Sequence, residues 1–304
     1  MAGILLEQTL VMGLYMAAGY VLFKTGKITL EGSKTIANLL LWLIIPCVLV
    51  RAFCVPFSAE RLKWLGQSFL LATLAMGISV GLSCLLLRKR PLECFATSFS
   101  NAGFVGIPLV TAAVGEQAVF FLCGMLVWVN LLQWTWGSAV MRGERISVSP
   151  KELTRNPFLI ATVLGLLLFL TGLGTHLPAV LSKAMEGVAG LNGPLAMMVL
   201  GTYLAQTRLR ELFTKPRLYL LSLIRLWMIP LATLAVFLLL PFDTEMRIAV
   251  LIAASAPIGA NAAVYAQLYG ADYPYACQMV ALCELASVVL LPLFMMLATA
   301  ALGM

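Results

Sequence analysis

The sequence predicts an all-α polytopic membrane protein with ten transmembrane helices, and three observations support this prediction. Hydrophobic residues make up 62% of the 304 residues and charged residues only 11%, whereas about a quarter of a soluble domain is charged. Ten apolar stretches approach the roughly 20 residues that a helix needs to cross a bilayer. Lys and Arg are concentrated in alternate connections between these stretches, as the positive-inside rule describes.

The ten predicted segments follow one another with short connections. Segments four and nine are interrupted by Gly, Pro, Ser and Asn, so they are less regular than the other eight. The segments comprise residues 4–24, 33–54, 66–88, 93–114, 117–141, 157–174, 184–206, 217–241, 246–269 and 273–301.

The basic residues predict how the chain is oriented. Of the 20 Lys and Arg residues, 14 lie in or beside the connections that follow segments one, three, five and seven. Because short basic connections stay in the cytoplasm, both termini are expected on the outer side. This topology explains the net charge of +7, and no nucleic-acid partner is needed to account for it.

The segments divide into two halves of five. A polar stretch at residues 142–156 separates residues 1–141 from residues 157–304, and we expect it to be a cytoplasmic linker. Because five is odd, the second half enters the membrane from the opposite side, as in transporters built from inverted repeats. The irregular segments four and nine then occupy the same position in the two halves.

Segments four and nine are each predicted to break near the middle of the bilayer. Gly106 and Pro108 interrupt the first, and Pro257 and Gly259 interrupt the second. Proline removes an amide donor and glycine weakens a helix, and unwound backbone at this depth occurs only inside protein or beside a water-filled cavity. The helix that follows each break then has free amides and the positive end of its dipole at the break. These features suit the binding of a carboxylate.

An asparagine lies beside each break. Asn101 and Asn261 would supply donors and acceptors where water is scarce, and paired breaks in inverted repeats indicate a substrate site between them. The alternative is that both side chains only link neighbouring helices, for about 0.6 kcal/mol each. Arg225, roughly 12 Å into segment eight at 1.5 Å per residue, is expected to snorkel or to form a structural pair.

Two motifs resemble the auxin efflux carrier family. Ser and Asn at 100–101 precede GIPL at 106–109, and Pro257 and Asn261 precede YAQLYGAD at 265–272. The resemblance implies helices four and nine crossing at their prolines, scaffold and transport domains, and transport of organic anions: auxin in plant members, malate or other dicarboxylates in bacterial ones. The short linker is similar to bacterial members, which implies an inner-membrane location.

The breaks and the resemblance together predict a substrate site and one residue for ion coupling. Glu284 lies near the middle of segment ten, where the family resemblance leads us to expect a small hydroxyl residue. A carboxylate at that depth generally marks an ion or proton pathway, and burial favours its neutral form. The alternative is a neutral side chain bonded to a neighbouring helix. The predicted substrate-binding residues are Asn101, Gly106, Pro108, Pro257, Gly259, Asn261 and Tyr265.

The sequence argues against enzymatic chemistry. It contains one His and no H-E-x-x-H motif, so a metalloprotease mechanism lacks its metal-binding motif. The seven cysteines have no C-x-x-C spacing, and neither a metal nor a cofactor is predicted. A channel stays an alternative, because broken helices also form selectivity filters. The identity of the anion, the direction of transport, proton or sodium coupling and a homodimeric state are left open.

Overall fold

The computed structural model describes residues 2–143, 156–207 and 209–303, and within these ranges the chain is helical, without a β-strand. Residues 144–155 of the predicted linker lie outside the described ranges. Seven helices among the described residues are long and apolar enough to cross a bilayer. The protein is therefore an all-α polytopic membrane protein.

The seven long helices match predicted segments one, two, three, five, seven, eight and ten. We label them by their place among all the helices: α1 (Ala2–Lys24), α2 (Leu30–Ala52), α3 (Ala59–Leu87), α6 (Glu116–Arg142), α8 (Ala179–Ala205), α10 (Pro216–Leu238) and α13 (Tyr273–Leu302).

The other three predicted segments are helical as well, but they are shorter or broken. Segment four consists of α4 (Pro91–Ser98) and α5 (Ala102–Ala113), and segment nine of α11 (Thr244–Ser255) and α12 (Asn261–Leu268). Segment six is the 15-residue helix α7 (Pro157–Thr171), and α9 (Leu209–Thr214) is a short helix before α10.

Polar side chains begin several of these helices. Ser58 accepts a hydrogen bond from the amide of Arg61 at the start of α3, and Asp272 accepts one from the amide of Tyr275 at the start of α13. Such N-caps satisfy amides that the first helical turn leaves free. They define where the apolar segments start.

Three helices accommodate an internal proline by a wider, π-helical turn just before it. The π-turns span Leu40–Ile44, Ala102–Gly106 and Ile224–Met228, and a proline follows two residues after each. Proline cannot donate the amide hydrogen bond that would close the preceding turn, and local π-turns are one way in which membrane helices adjust.

Helices α1 and α8 approach at backbone distance. Gly19 faces Met198 and Gly201 faces Met16 so closely that a methyl group at either glycine would collide with backbone atoms. Small residues permit such contacts between membrane helices, where packing replaces the hydrophobic effect as the driving force.

Candidate functional site

The two broken segments meet at their breaks. Residues 99–101 and 256–260 are not helical, and Ser100 and Ile258 form an isolated antiparallel bridge. The amide of Asn101 donates to the carbonyl of Pro257 at 2.8 Å, and the amide of Gly259 donates to the carbonyl of Phe99 at 3.0 Å. Each break thus provides hydrogen-bond partners for backbone groups of the other break, as unwound backbone inside a membrane protein requires.

A small cavity of about 30 Å³ lies beside the paired breaks, with room for about two water molecules. The side chains that line it among the described residues are uncharged. The lining from α2 and α7 is apolar. The lining from the two breaks, α5 and α6 includes all of the polar side chains, together with Phe104, Leu126 and Val129. The lining residues are Leu41, Ile45, Ser100, Asn101, Gly103, Phe104, Leu126, Val129, Asn130, Gln133, Phe158, Gly259, Ala260 and Asn261.

The positive ends of two helices are directed at this cavity. Helix α5 begins at Ala102, directly after Asn101, and α12 begins at Asn261. The amides of Ala262 and Ala263 in α12 donate to the carbonyls of Gly259 and Ala260, while the helix dipole places partial positive charge at the start of each helix. The arrangement therefore favours an anionic group although no basic side chain lines the cavity.

Asn101 contacts the residue that the sequence predicted for ion coupling. Its Nδ2 donates to Oε1 of Glu284 at 2.8 Å, and both side chains are buried. The predicted substrate and coupling residues are thus joined by one hydrogen bond across 183 positions of sequence.

Asn261 has a different partner, which the sequence reasoning missed. Its Nδ2 donates to Oε1 of Gln133 at 2.7 Å. Gln133 and Asn130 both line the cavity and lie three residues apart on α6, so they share one face of that helix. Two amide side chains at this spacing in an otherwise apolar segment were the signal that could have identified them.

Two further predicted residues form the backbone of the second break. Gly259 lines the cavity, and a methyl group added to it would lie 3.4 Å from the carbonyl oxygens of Phe99 and Ser100. Pro257 contributes its carbonyl, which accepts the hydrogen bond from Asn101. The two breaks therefore lie in van der Waals contact at this point.

Gly106 and Pro108 lie away from the cavity lining and pack against other helices. A methyl group at Gly106 would lie 3.3 Å from Cα of Ala253 on α11. A methyl group added to Gly193 on α8 would lie 3.4 Å from Cγ of Pro108. These contacts position the start of α5 between α11 and α8.

Tyr265 is buried on α12 beside aromatic side chains, also outside the cavity lining. Its ring centroid lies 4.8 Å from that of Phe95 and 5.8 Å from that of Tyr269. Its hydroxyl has no hydrogen-bond partner among the described residues.

Paired breaks in an all-α membrane protein, with a polar cavity beside them, are the architecture of a membrane transporter. Residues 4–295 match the family of membrane transport proteins that includes the auxin efflux carriers. The chain belongs to this family, and the predicted resemblance is confirmed. No curated protein matched the chain in a sequence comparison.

Proposed function

We propose that the protein is a secondary transporter that moves small organic anions through the cavity at the paired breaks. The observation that supports this proposal best is the convergence of two helix N-termini and two asparagines on a cavity without charged side chains. Such a site attracts a carboxylate through the positive ends of the two helices and the asparagine side chains. The substrate is a malate-like dicarboxylate or an auxin-like acid, in keeping with the family.

The ten crossings are part of the proposal. The seven long helices account for seven crossings, and the α4–α5 pair, α7 and the α11–α12 pair account for one each. Residues 1–141 then form one five-helix repeat and residues 157–304 the inverted second. The α4–α5 and α11–α12 pairs cross at their prolines. Both termini face away from the cytoplasm of a bacterial inner membrane.

Transport proceeds by alternating access. A cavity of about 30 Å³ holds about two water molecules, so an organic acid requires the apolar and polar sides of the cavity to move apart. Leu41, Ile45 and Phe158 belong to the scaffold side in this scheme, and the breaks belong to the moving side.

Two polar contacts between helices lie, in the proposed topology, at opposite membrane surfaces. Arg51, at the end of α2, donates to Glu116 at the start of α6 at 2.9 Å. The hydroxyl of Tyr273, at the start of α13, donates to Gln206 after α8 at 2.8 Å. We expect these contacts to form and break in turn during the transport cycle.

Glu284 is the proposed coupling residue, and the coupling ion is a proton. The hydrogen bond to Asn101 supports this assignment, because it joins the carboxyl group directly to a proposed substrate-binding residue. Protonation would change which group donates in that hydrogen bond and so change the donor that Asn101 offers to an anion.

The test is transport of radiolabelled malate and indoleacetate into proteoliposomes containing the purified protein. A carrier shows saturable uptake that is stimulated by unlabelled substrate inside the vesicles, whereas a channel shows neither saturation at low concentration nor counterflow. Empty liposomes and the Asn261→Ala variant are the controls. Flux without counterflow would favour the channel, and absence of flux for both acids would reject this class of anion.

A further inference from the structure

Arg225 lies at the middle of α10 with none of its surface exposed. Of the two expectations for this side chain, snorkelling toward the membrane surface is therefore wrong, and a structural role remains. Among the described residues it has no carboxylate partner within ion-pair distance. A buried cation without a counter-charge is costly, so the groups that surround it must supply the compensation.

The guanidinium group of Arg225 is bound by the C-terminal ends of α4 and α11, the helices that precede the two breaks. Its Nε donates to the carbonyl of Ala256 at 2.9 Å, and its Nη2 donates to the carbonyl of Ala254, both at the end of α11. Its Nη1 donates to the carbonyl of Thr97 at 3.2 Å, in the last turn of α4. One side chain thus ties together the two helices that stop at the breaks.

Ser79 of α3 completes this arrangement. Its hydroxyl accepts a hydrogen bond from Nη1 of Arg225 at 2.9 Å and donates one to the carbonyl of Ser98 at 2.8 Å. The carbonyls of Thr97 and Ser98 at the end of α4 are therefore held by Arg225 directly and through Ser79.

The charges balance at this point. The carbonyl end of a helix has a partial charge of about −0.5, so two such ends amount to about one negative charge. One guanidinium group compensates that charge. The positive N-terminal ends of α5 and α12, on the far side of the breaks, then remain available to the cavity.

We infer that Arg225 is a positioning residue whose charge holds the carbonyl ends of the two broken segments together and thereby gives the cavity its preference for anions. If this charge were absent, two negative helix ends would lie behind the cavity, repelling both each other and a bound carboxylate. The first part of the inference stands on its own, and the second part rests on the proposed function.

Hydrogen exchange measured by mass spectrometry on the purified full-length protein tests the first part without any substrate. The reporters are the amides of Asn101 and Gly259, which are hydrogen-bonded across the breaks. Arg225→Gln keeps a donor but removes the charge, and we expect exchange at residues 97–106 and 254–261 to increase by about tenfold or more. Arg225→Lys keeps the charge and should show a smaller increase.

Arg61→Gln is the charge-matched control, since among the described residues the Arg61 side chain bonds only the carbonyl of Pro56, before α3 and away from both breaks. It should leave both reporter amides unchanged. Exchange in Arg225→Gln equal to wild type, or equal losses of protection in Arg225→Gln and Arg225→Lys, would overturn the charge-based role.

A milder pair of variants decides the matter if Arg225→Gln does not fold. Ser79→Ala removes one acceptor of Arg225 and the bond to Ser98, whereas Ser68→Ala removes only a bond within its own turn, to Leu65. Both serines are buried on α3. Faster hydrogen exchange at the breaks in Ser79→Ala but not in Ser68→Ala supports the positioning role of Arg225. Equal exchange rates in the two variants contradict it.

Malate uptake in proteoliposomes tests the second part. Relative to wild type, KM for malate should rise by about tenfold in Arg225→Gln and by less in Arg225→Lys. Wild-type protein that transports no malate would reject the proposed function for this acid, while the exchange experiment would still decide whether Arg225 positions the breaks. An unchanged KM in Arg225→Gln would reject the electrostatic effect on the anion.

Discussion

The two breaks are similar in composition and position, but their asparagines have different partners. Asn101 donates to a carboxyl group, that of Glu284 on α13, and Asn261 donates to a neutral amide, that of Gln133 on α6. Only the first of these partners can change its charge. We propose from this difference that both halves of the site bind the anion while only the half with Glu284 responds to protons.

The same difference extends to the ends of the molecule. Helix α6, which contains Gln133, starts at the contact of Glu116 with Arg51. Helix α13, which contains Glu284, starts at the contact of Tyr273 with Gln206. Each asparagine is thus connected through its partner helix to one of the two contacts that we expect to open in turn.

The largest expected effect is all-or-none and concerns whether the two halves are inverted. In a variant without the native cysteines, a cysteine at position 149 should react with an impermeant reagent only from the cytoplasm. A cysteine at Gly3 should react only from outside, because the basic connections orient the chain. Labelling of both positions from the same side would mean that the halves are not related by inversion.

Loss of either asparagine should weaken substrate binding strongly. A hydrogen bond to a charged group contributes about 1.5–3 kcal/mol, which corresponds to roughly ten- to over a hundredfold in affinity. We expect Asn101→Ala to have the larger effect, because it also leaves the buried carboxyl group of Glu284 without this donor. Binding of labelled malate to purified protein provides the measurement.

The control for the asparagines is Thr135→Ala, which removes only a hydrogen bond within α6, to the carbonyl of Leu131. It should bind malate as wild type does. Normal affinity in both asparagine variants would show that the anion binds elsewhere.

Replacement of Glu284 tests the functional asymmetry itself. If one proton accompanies each transported indoleacetate anion, wild-type vesicles should accumulate this acid about tenfold for each pH unit when the outside is more acidic. Glu284→Gln keeps the hydrogen bond to Asn101 but cannot titrate, so exchange should persist without pH-driven accumulation. Gln133→Asn, on the other half of the site, should keep the pH dependence. Accumulation by Glu284→Gln driven by a pH gradient alone would exclude Glu284 as the coupling group.

The smallest effect is expected at the outer contact. Arg51 and Glu116 are 34% and 66% exposed, and ion pairs of this kind contribute about 0.2–1 kcal/mol. Glu116→Gln should therefore change the maximal transport rate by about fivefold at most, with less effect at high salt. Arg61→Gln is the control, because the side chain of Arg61 bonds only the nearby carbonyl of Pro56 among the described residues. A loss of all transport in Glu116→Gln would assign that carboxylate a role beyond the contact.

Most of the helices could be predicted from the sequence because hydropathy is a local property of the chain. The seven long helices lie where the apolar segments were expected, and the two irregular segments break between residues 98 and 102 and between 255 and 261. Proline and glycine act on their own backbone, so the position of a break is also local information. The family could be recognised from the same residues.

The partners of the polar side chains were decided only by the tertiary structure. Asn101 and Glu284 are 183 positions apart, and Asn261 and Gln133 are 128 apart. Arg225 illustrates the reason: its position along α10 allowed both snorkelling and a structural role, and only the convergence of α4 and α11 provides the carbonyl groups that bind it. By itself, the sequence determined which groups must be buried in the membrane. Because a buried polar group must be paired wherever the fold brings a partner within reach, the packing of the helices determined which groups satisfy one another.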